Sequence, residues 1–123
     1  MRCAVRDGSP TMARWTTSWC GSHLDVPPVL EPYGEAGASF LELGPKVAAA
    51  SADRPLAHAT GRPGDVYLCH PFLVHAAQPH HGTHPRFMAQ PPLYLDAPLD
   101  LDRTDGNYSA LEFAVRRGLS HNG

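Results

Sequence analysis

Apolar and polar positions follow a strand-like pattern at the start of the chain and a helical one soon after. Thr11–Trp19 is rich in threonine and tryptophan, which favours a β-strand. Ser39-Phe40-Leu41-Glu42 has the form of a helix capping box, and Leu43 and Val47 continue the apolar positions at helical spacing. We therefore predict a strand over Thr11–Trp19 and a helix from about Phe40 to Ala52.

Two further helical segments are predicted, one from residues typical of helix ends and one from the spacing of apolar residues. Asp25 comes shortly before two prolines and Gly34 closes the segment, a pattern typical of an N-cap aspartate followed by one or two helical turns. Tyr108–Gly118 carries apolar residues at helical spacing. It predicts a C-terminal helix within residues 106–119.

After Arg54 the pattern changes to short apolar runs separated by turn residues. These runs predict strands at Leu56–Thr60, Val66–Cys69, Phe72–Ala76 and Arg86–Gln90. Short strands of this kind predict a mostly β, antiparallel fold with one or two helices packed outside.

Composition predicts a small core. Leu, Ile, Val and Phe supply only 24 of the 123 residues, while 13 prolines and 11 glycines interrupt the chain. A net charge of −2 does not fit disorder caused by self-repulsion. The chain is therefore expected to be one thin-cored domain, or part of a domain.

Charge and cysteine usage narrow the class of protein. The near-neutral chain has no Lys/Arg run, which argues against nucleic acid or an anionic membrane as partner. Its apolar runs are far shorter than a membrane span, and its start lacks an apolar signal-peptide core. Three cysteines form no CxxC pair and no paired framework, which favours a reducing compartment. A cytoplasmic protein is expected.

Histidines are concentrated in one part of the chain, with six of the eight between residues 58 and 84. Three of them, His80, His81 and His84, fit ordinary polar positions of a Pro/Gly-containing loop. His75 differs because it lies in an apolar strand, and Arg86 opens the next one. In a hairpin the two side chains would form a site for a metal-chelating organic acid. The alternative is a satisfied core histidine and an unrelated surface arginine.

The same segment resembles a known family. Gly64-Asp65-Val66-Tyr67-Leu68-Cys69-His70-Pro71-Phe72-Leu73-Val74-His75-Ala76, followed by Pro85-Arg86-Phe87, is similar to the C-terminal signature of phytanoyl-CoA dioxygenase-like enzymes. Gly21-Ser22-His23 resembles the family's Pro-Gly-Ser-His turn, with Cys20 in place of the proline, and Asp7–Thr11 loosely resembles the segment before it. The matches run from about residue 7 to residue 92.

The resemblance implies an oxygenase that uses Fe(II) and 2-oxoglutarate to hydroxylate a small organic substrate. It implies that His75 is the distal iron ligand and that Arg86 binds the 2-oxoglutarate carboxylate. It also implies a partial double-stranded β-helix (jelly roll or cupin-like) over residues 21–95, with residues 1–20 poorly assignable and the N-terminal strands missing from this single partial domain, residues 1–123.

The iron site implied by the resemblance is incomplete. Such a site needs two histidines and one carboxylate, and the family takes two of these ligands from an H-x-D/E motif upstream of the Gly-Ser-His turn. No histidine precedes that turn here. We therefore expect a truncated or incorrectly started chain that is inactive alone.

Four alternatives stay open. His23-Leu24-Asp25 reads H-x-D and, with His75, would give a substitute triad. A cupin-like metal protein would bring His58, His70 and His75 together. Zinc could bind Cys69 with nearby histidines. A non-catalytic interaction module would self-associate through an exposed sheet edge.

Overall fold

The described part of the chain contains one three-stranded antiparallel sheet. The structure is a computed structural model that describes residues 14–62, 64–79 and 87–120. Strand β1 (Arg14–Trp19) lies in the centre, between β2 (Leu56–Thr60) and β3 (His75–Ala77). β1 is antiparallel to both neighbours, with Thr17 opposite His58 on one side and Ser18 opposite His75 on the other.

In the same described ranges, three α-helices accompany the sheet: α1 (Val26–Leu30), α2 (Phe40–Ala50) and α3 (Ala110–Ser120). Short 3₁₀ helices at Ser22–Leu24 and Glu31–Ala36 flank α1. The prediction for α2 is confirmed, since the Glu42 amide donates to the Ser39 hydroxyl at 3.3 Å and the helix begins directly after that cap.

The last helix has a capping box that the sequence analysis overlooked. The Glu112 amide donates to the Ser109 hydroxyl at 3.2 Å, and the Ser109 amide donates to the Glu112 carboxylate at 2.7 Å. These two reciprocal bonds place the start of α3 at Ala110, after Tyr108, where the apolar pattern begins.

The prediction of a mostly β fold, a partial double-stranded β-helix of the jelly-roll or cupin-like type, is wrong. In the described residues the strands have six, five and three residues, whereas α2 and α3 alone have eleven each. Residues 66–69 and 87–90, predicted as strands, are irregular, and Phe72 lies in a turn. Both edges of β1 are already paired, and Pro71, Pro91 and Pro92 interrupt the segments that would have to add strands.

The N-cap predicted for Asp25 is also wrong. Asp25 directly precedes α1, but its backbone is helical and its side chain makes no capping bond. Its carboxylate instead accepts hydrogen bonds from Arg54 and Ser51. The ion pair therefore uses the oxygens that a cap would need.

The core is small, as the composition predicts. Among the described residues the buried apolar side chains are Val26, Leu73 and Val115, which come from α1, the segment before β3, and α3. At Gly118, α3 approaches the 3₁₀ helix Ser22–Leu24 so closely that an added Cβ would lie 2.7 Å from the carbonyl oxygen of Leu24. Helix α3 thus packs on α1 and the 3₁₀ turn before it.

Two further features concern the length of the helices and the state of the cysteines. None of the helices in the described ranges is both long and apolar enough to cross a bilayer. Cys20 takes part in a disulfide, whereas Cys69 is free and exposed. The disulfide at Cys20 removes the argument that cysteine usage favours a reducing compartment.

Candidate functional site

The two segments that carry the family resemblance lie against each other. Ser22 of the Gly-Ser-His turn is completely buried, and its hydroxyl accepts a hydrogen bond from the Val74 amide at 2.9 Å. The Trp19 amide donates to the Val74 carbonyl at 3.0 Å. The turn and the segment before β3, separated by 52 residues, are thereby joined immediately before His75.

The shape of the turn depends on Gly21. Its φ of +88° is left-handed, a conformation that side chains other than glycine rarely adopt. A Cβ there would also lie 3.1 Å from the Arg54 guanidinium. From Gly21 the chain enters the 3₁₀ helix, in which the Asp25 amide donates to the Ser22 carbonyl at 2.9 Å.

His75 begins β3 and has a defined tautomer. Its Nδ1 lies 2.9 Å from the carbonyl oxygen of Leu73. A carbonyl oxygen can only accept, so Nδ1 carries the proton and the neutral ring has its lone pair on Nε2. Histidines that ligate metals are commonly held in this way, and the His75 side chain is exposed. His75 therefore has the properties of a single metal ligand.

His58 lies on the other face of the sheet. It is paired with Thr17, whose hydroxyl lies 2.9 Å from its Nδ1, while His75 is paired with the next residue, Ser18. Successive residues of a strand point to opposite faces, and paired residues share a face. The cupin-like set of His58, His70 and His75 is therefore not assembled.

His23 and His70 form a second contact between the turn and the segment before β3. Their ring centroids lie 4.9 Å apart. The Phe72 amide donates to His70 Nδ1 at 3.1 Å, so the proton of the neutral His70 ring is on Nε2. That Nε2 and His23 Nδ1 are buried without a hydrogen-bond partner in the described part of the chain.

The charge state of this histidine pair is set by its surroundings. Burial lowers the pKa of both rings, and the charge of His23 lowers that of His70 further. The positive charges of Arg54 and Arg117 also lower the pKa of His23, while Asp25 acts in the opposite direction. The pair is therefore neutral at physiological pH.

Asp25 is not available to a metal. Arg54 donates to its carboxylate at 2.6 and 3.0 Å, and the Ser51 hydroxyl donates at 2.9 Å. Burial of the Asp25 carboxylate raises its pKa, but the hydrogen bonds from Arg54 and Ser51 outweigh this, and the net pKa lies below the ordinary value. The triad of His23, Asp25 and His75 is thus not formed.

A complete iron site does not fit the described residues. Within residues 14–62, 64–79 and 87–120, no group of three His, Cys, Asp or Glu side chains could hold a metal ion. This also excludes, for those residues, the zinc site predicted around Cys69. Arg86, the predicted 2-oxoglutarate ligand, and the loop histidines His80, His81 and His84 lie outside the described residues.

Sequence reasoning missed two residues that build this region. Ser22 belongs to the Gly-Ser-His motif, but the motif assigns it no role, because a hydroxyl partner distant in sequence leaves no local signal. Apart from its position before Pro55, no feature of the sequence around Arg54 indicates that it has a structural role. Both act through contacts 29 or more residues away.

Comparisons with known proteins found no match for this chain: no protein-family model, curated protein or solved structure matches it. The resemblance to the phytanoyl-CoA dioxygenase-like family therefore stays a prediction from the sequence, and function is inferred from the residues themselves.

Proposed function

We propose that this chain carries the distal half-site of a phytanoyl-CoA dioxygenase-like, Fe(II)- and 2-oxoglutarate-dependent oxygenase that hydroxylates a small organic substrate. His75 is the iron ligand and Arg86 the partner of the 2-oxoglutarate carboxylate. The observation that carries the proposal is the state of His75: an exposed ring with Nδ1 hydrogen-bonded to the Leu73 carbonyl and a lone pair on Nε2.

The contact between the two family-like segments supports the proposal. The Gly-Ser-His turn and the segment that leads into His75 resemble the family in two separate motifs, yet Ser22 bonds directly to Val74. Two unrelated motif matches would have no reason to share a direct hydrogen bond across 52 residues. This adjacency favours one common site over two accidental similarities.

The proposal includes inactivity of the half-site alone. A 2-His-1-carboxylate centre needs three protein ligands, and the described residues offer one such histidine without a matching pair. Further ligands would have to come from residues other than those described. Fe(II) binding by the half-site is therefore expected to be weak and 2-oxoglutarate turnover absent.

Mn²⁺ titration of the isotopically labelled full chain tests the iron-ligand role. We expect paramagnetic broadening centred on the His75 ring, abolished in His75→Ala and retained in His58→Ala, a control on the opposite face of the same sheet. Equal broadening in wild type and His75→Ala would contradict the assignment.

Turnover and co-substrate binding are tested separately. Saturation-transfer NMR should detect 2-oxoglutarate bound to the wild-type chain and not to Arg86→Ala. The control Arg62→Ala, which removes an exposed arginine that has no role in the proposed site, should bind normally. Succinate production together with tight, stoichiometric Fe(II) binding would overturn the incomplete half-site.

An interaction module is the second candidate, favoured by the apolar side chains that remain outside the small core. Val66, Phe87 and Tyr94 are each almost nine-tenths exposed. Apolar residues left in water in this number are typical of surfaces that another protein covers. Concentration-dependent dimerisation in sedimentation experiments, with no effect of Mn²⁺ on His75, would favour this function over the oxygenase half-site.

A further inference from the structure

A single peptide group links Ser22 to His75. The amide of Val74 and the carbonyl of Leu73 belong to the same planar peptide unit. The amide end donates to the Ser22 hydroxyl at 2.9 Å, and the carbonyl end accepts from His75 Nδ1 at 2.9 Å. The orientation of this one plane therefore determines whether His75 has a backbone acceptor within reach.

The next peptide group is held as well. The Val74 carbonyl accepts from the Trp19 amide at 3.0 Å, which fixes the plane that leads directly into His75. Leu73, on the other side, is buried and its amide donates to the His70 carbonyl at 2.9 Å. Among residues 14–62, 64–79 and 87–120, the side chain that bonds to the Leu73–Val74 plane from another element is that of Ser22.

Ser22 is itself rigidly placed. Its residue is completely buried, and its backbone carbonyl accepts from the Asp25 amide at 2.9 Å within the 3₁₀ helix. Its hydroxyl therefore has little freedom to rotate away from Val74. Removing this acceptor would leave the part-buried Val74 amide without its partner, and such a group tends to reorient toward another acceptor.

We propose that Ser22 is the positioning residue of His75: by holding the Leu73–Val74 peptide, it keeps His75 in the tautomer whose Nε2 can bind a metal. Hydrogen bonds in a chain polarise one another, so the Ser22 contact also strengthens the Leu73 carbonyl as an acceptor for Nδ1. The relevance to iron rests on the proposed function, whereas the control of the tautomer does not.

Long-range ¹H–¹⁵N NMR of the metal-free full chain at pH 8, where histidine rings are neutral, reads the tautomer of each ring. In wild type we expect His75 in the Nδ1–H form. Ser22→Ala should lower the ratio of this form to the Nε2–H form by about five-fold, the equivalent of one hydrogen bond. Ser22→Thr keeps the hydroxyl and should restore it.

Ser51→Ala is the matched control. Ser51 is also completely buried and also makes one side-chain hydrogen bond of 2.9 Å, but to Asp25. It should lower stability without changing the His75 tautomer. An unchanged tautomer in Ser22→Ala, or the same change in both variants, would overturn the proposal.

A second variant covers the case in which Ser22→Ala does not fold. Ser22→Cys fills nearly the same space with a weaker acceptor and should give an intermediate tautomer ratio. A wild-type ratio in Ser22→Cys would count against the proposal. The tautomer measurements use the metal-free chain, so they can be interpreted even if the Mn²⁺ experiment shows no binding at His75. Failure of the proposed function is therefore distinguishable from failure of the Ser22 proposal.

Discussion

The guanidinium of Arg54 donates two hydrogen bonds to the carboxylate of Asp25, at 3.0 Å from Nε and 2.6 Å from Nη2. This pair joins the residue before α1 to the segment that leads into β2. Ser51 adds a third bond to the same carboxylate. The Asp25 carboxylate therefore connects the helices to the segment that leads into the sheet, although the sequence pattern predicts that it caps a helix.

Asp25→Asn should lower the free energy of unfolding by about 1 to 2 kcal/mol, because it removes the charge that two donors of Arg54 share. Urea denaturation at pH 7 measures the change. Asp105→Asn is the control: Arg103 bonds Asp105 with the same two-bond geometry, at 3.0 Å each, but the residues are two apart and the Asp105 side chain is exposed. A loss in Asp105→Asn as large as in Asp25→Asn would contradict the cross-linking role.

Stability should fall as the pH falls below about 6.5, the ordinary histidine value. Burial lowers the pKa values of His23 and His70 in the folded chain. The charges of Arg54 and Arg117 lower the pKa of His23 further, and the charge of His23 lowers that of His70. The unfolded chain therefore binds more protons in this range, and protonation favours unfolding. Urea midpoints at pH 5.5 and 7.5 measure the effect.

The double variant His23→Gln with His70→Gln should show a smaller difference between these two pH values. Between pH 7.5 and 8.5, where both rings are neutral in either state, wild type and double variant should show the same dependence. An equal loss of stability on acidification in wild type and double variant would assign the effect to other groups.

Gly118→Ala should destabilise the chain by about 1 to 2 kcal/mol although alanine is the better helix former. The new Cβ would lie 2.7 Å from the Leu24 carbonyl oxygen and 3.0 Å from Pro27, and a backbone oxygen cannot rotate away. Thermal unfolding measures the change. Arg117→Ala, on an exposed neighbour, is the control and should have little effect. A stabilised Gly118→Ala would show that α3 does not pack this closely.

Ser109→Ala should cost about 1 kcal/mol of folding free energy, the usual value of an N-cap. Its partner Glu112 is buried, and the carboxylate also accepts from the Asp100 amide at 2.8 Å. Ser39→Ala removes the corresponding cap of α2, whose bond is longer and exposed, and should cost less. Chemical denaturation of the two variants ranks them, and the reverse order would contradict the structure.

Local signals predicted the elements whose stabilising contacts are local. Helix α2 begins after Ser39 because the cap and the apolar spacing lie within a few residues, and β2 has the predicted bounds Leu56–Thr60. Residues 66–69 alternate equally well but are not a strand. A strand exists only with a partner, and pairing depends on residues far away in sequence.

The residues of the candidate site likewise divide into one that a local sequence signal predicted and others whose roles depend on contacts distant in sequence. His75 stood out because a polar ring in an apolar strand is visible locally, and the structure gives it a defined tautomer. The role of Ser22 depends on a bond to Val74 that no pattern within the turn reveals. Asp25 was assigned to a cap because the competing partner, Arg54, is 29 residues away.

The central position of β1 has a consequence for the order in which the chain folds. β1 precedes both of its partners in the sequence, and Thr16 bonds Ala76 across 60 residues. On the ribosome this strand emerges first and stays unpaired until β2 and then β3 have been synthesised. Contacts of such sequence separation form slowly, so the unpaired strand is the segment of the nascent chain that most needs protection from aggregation.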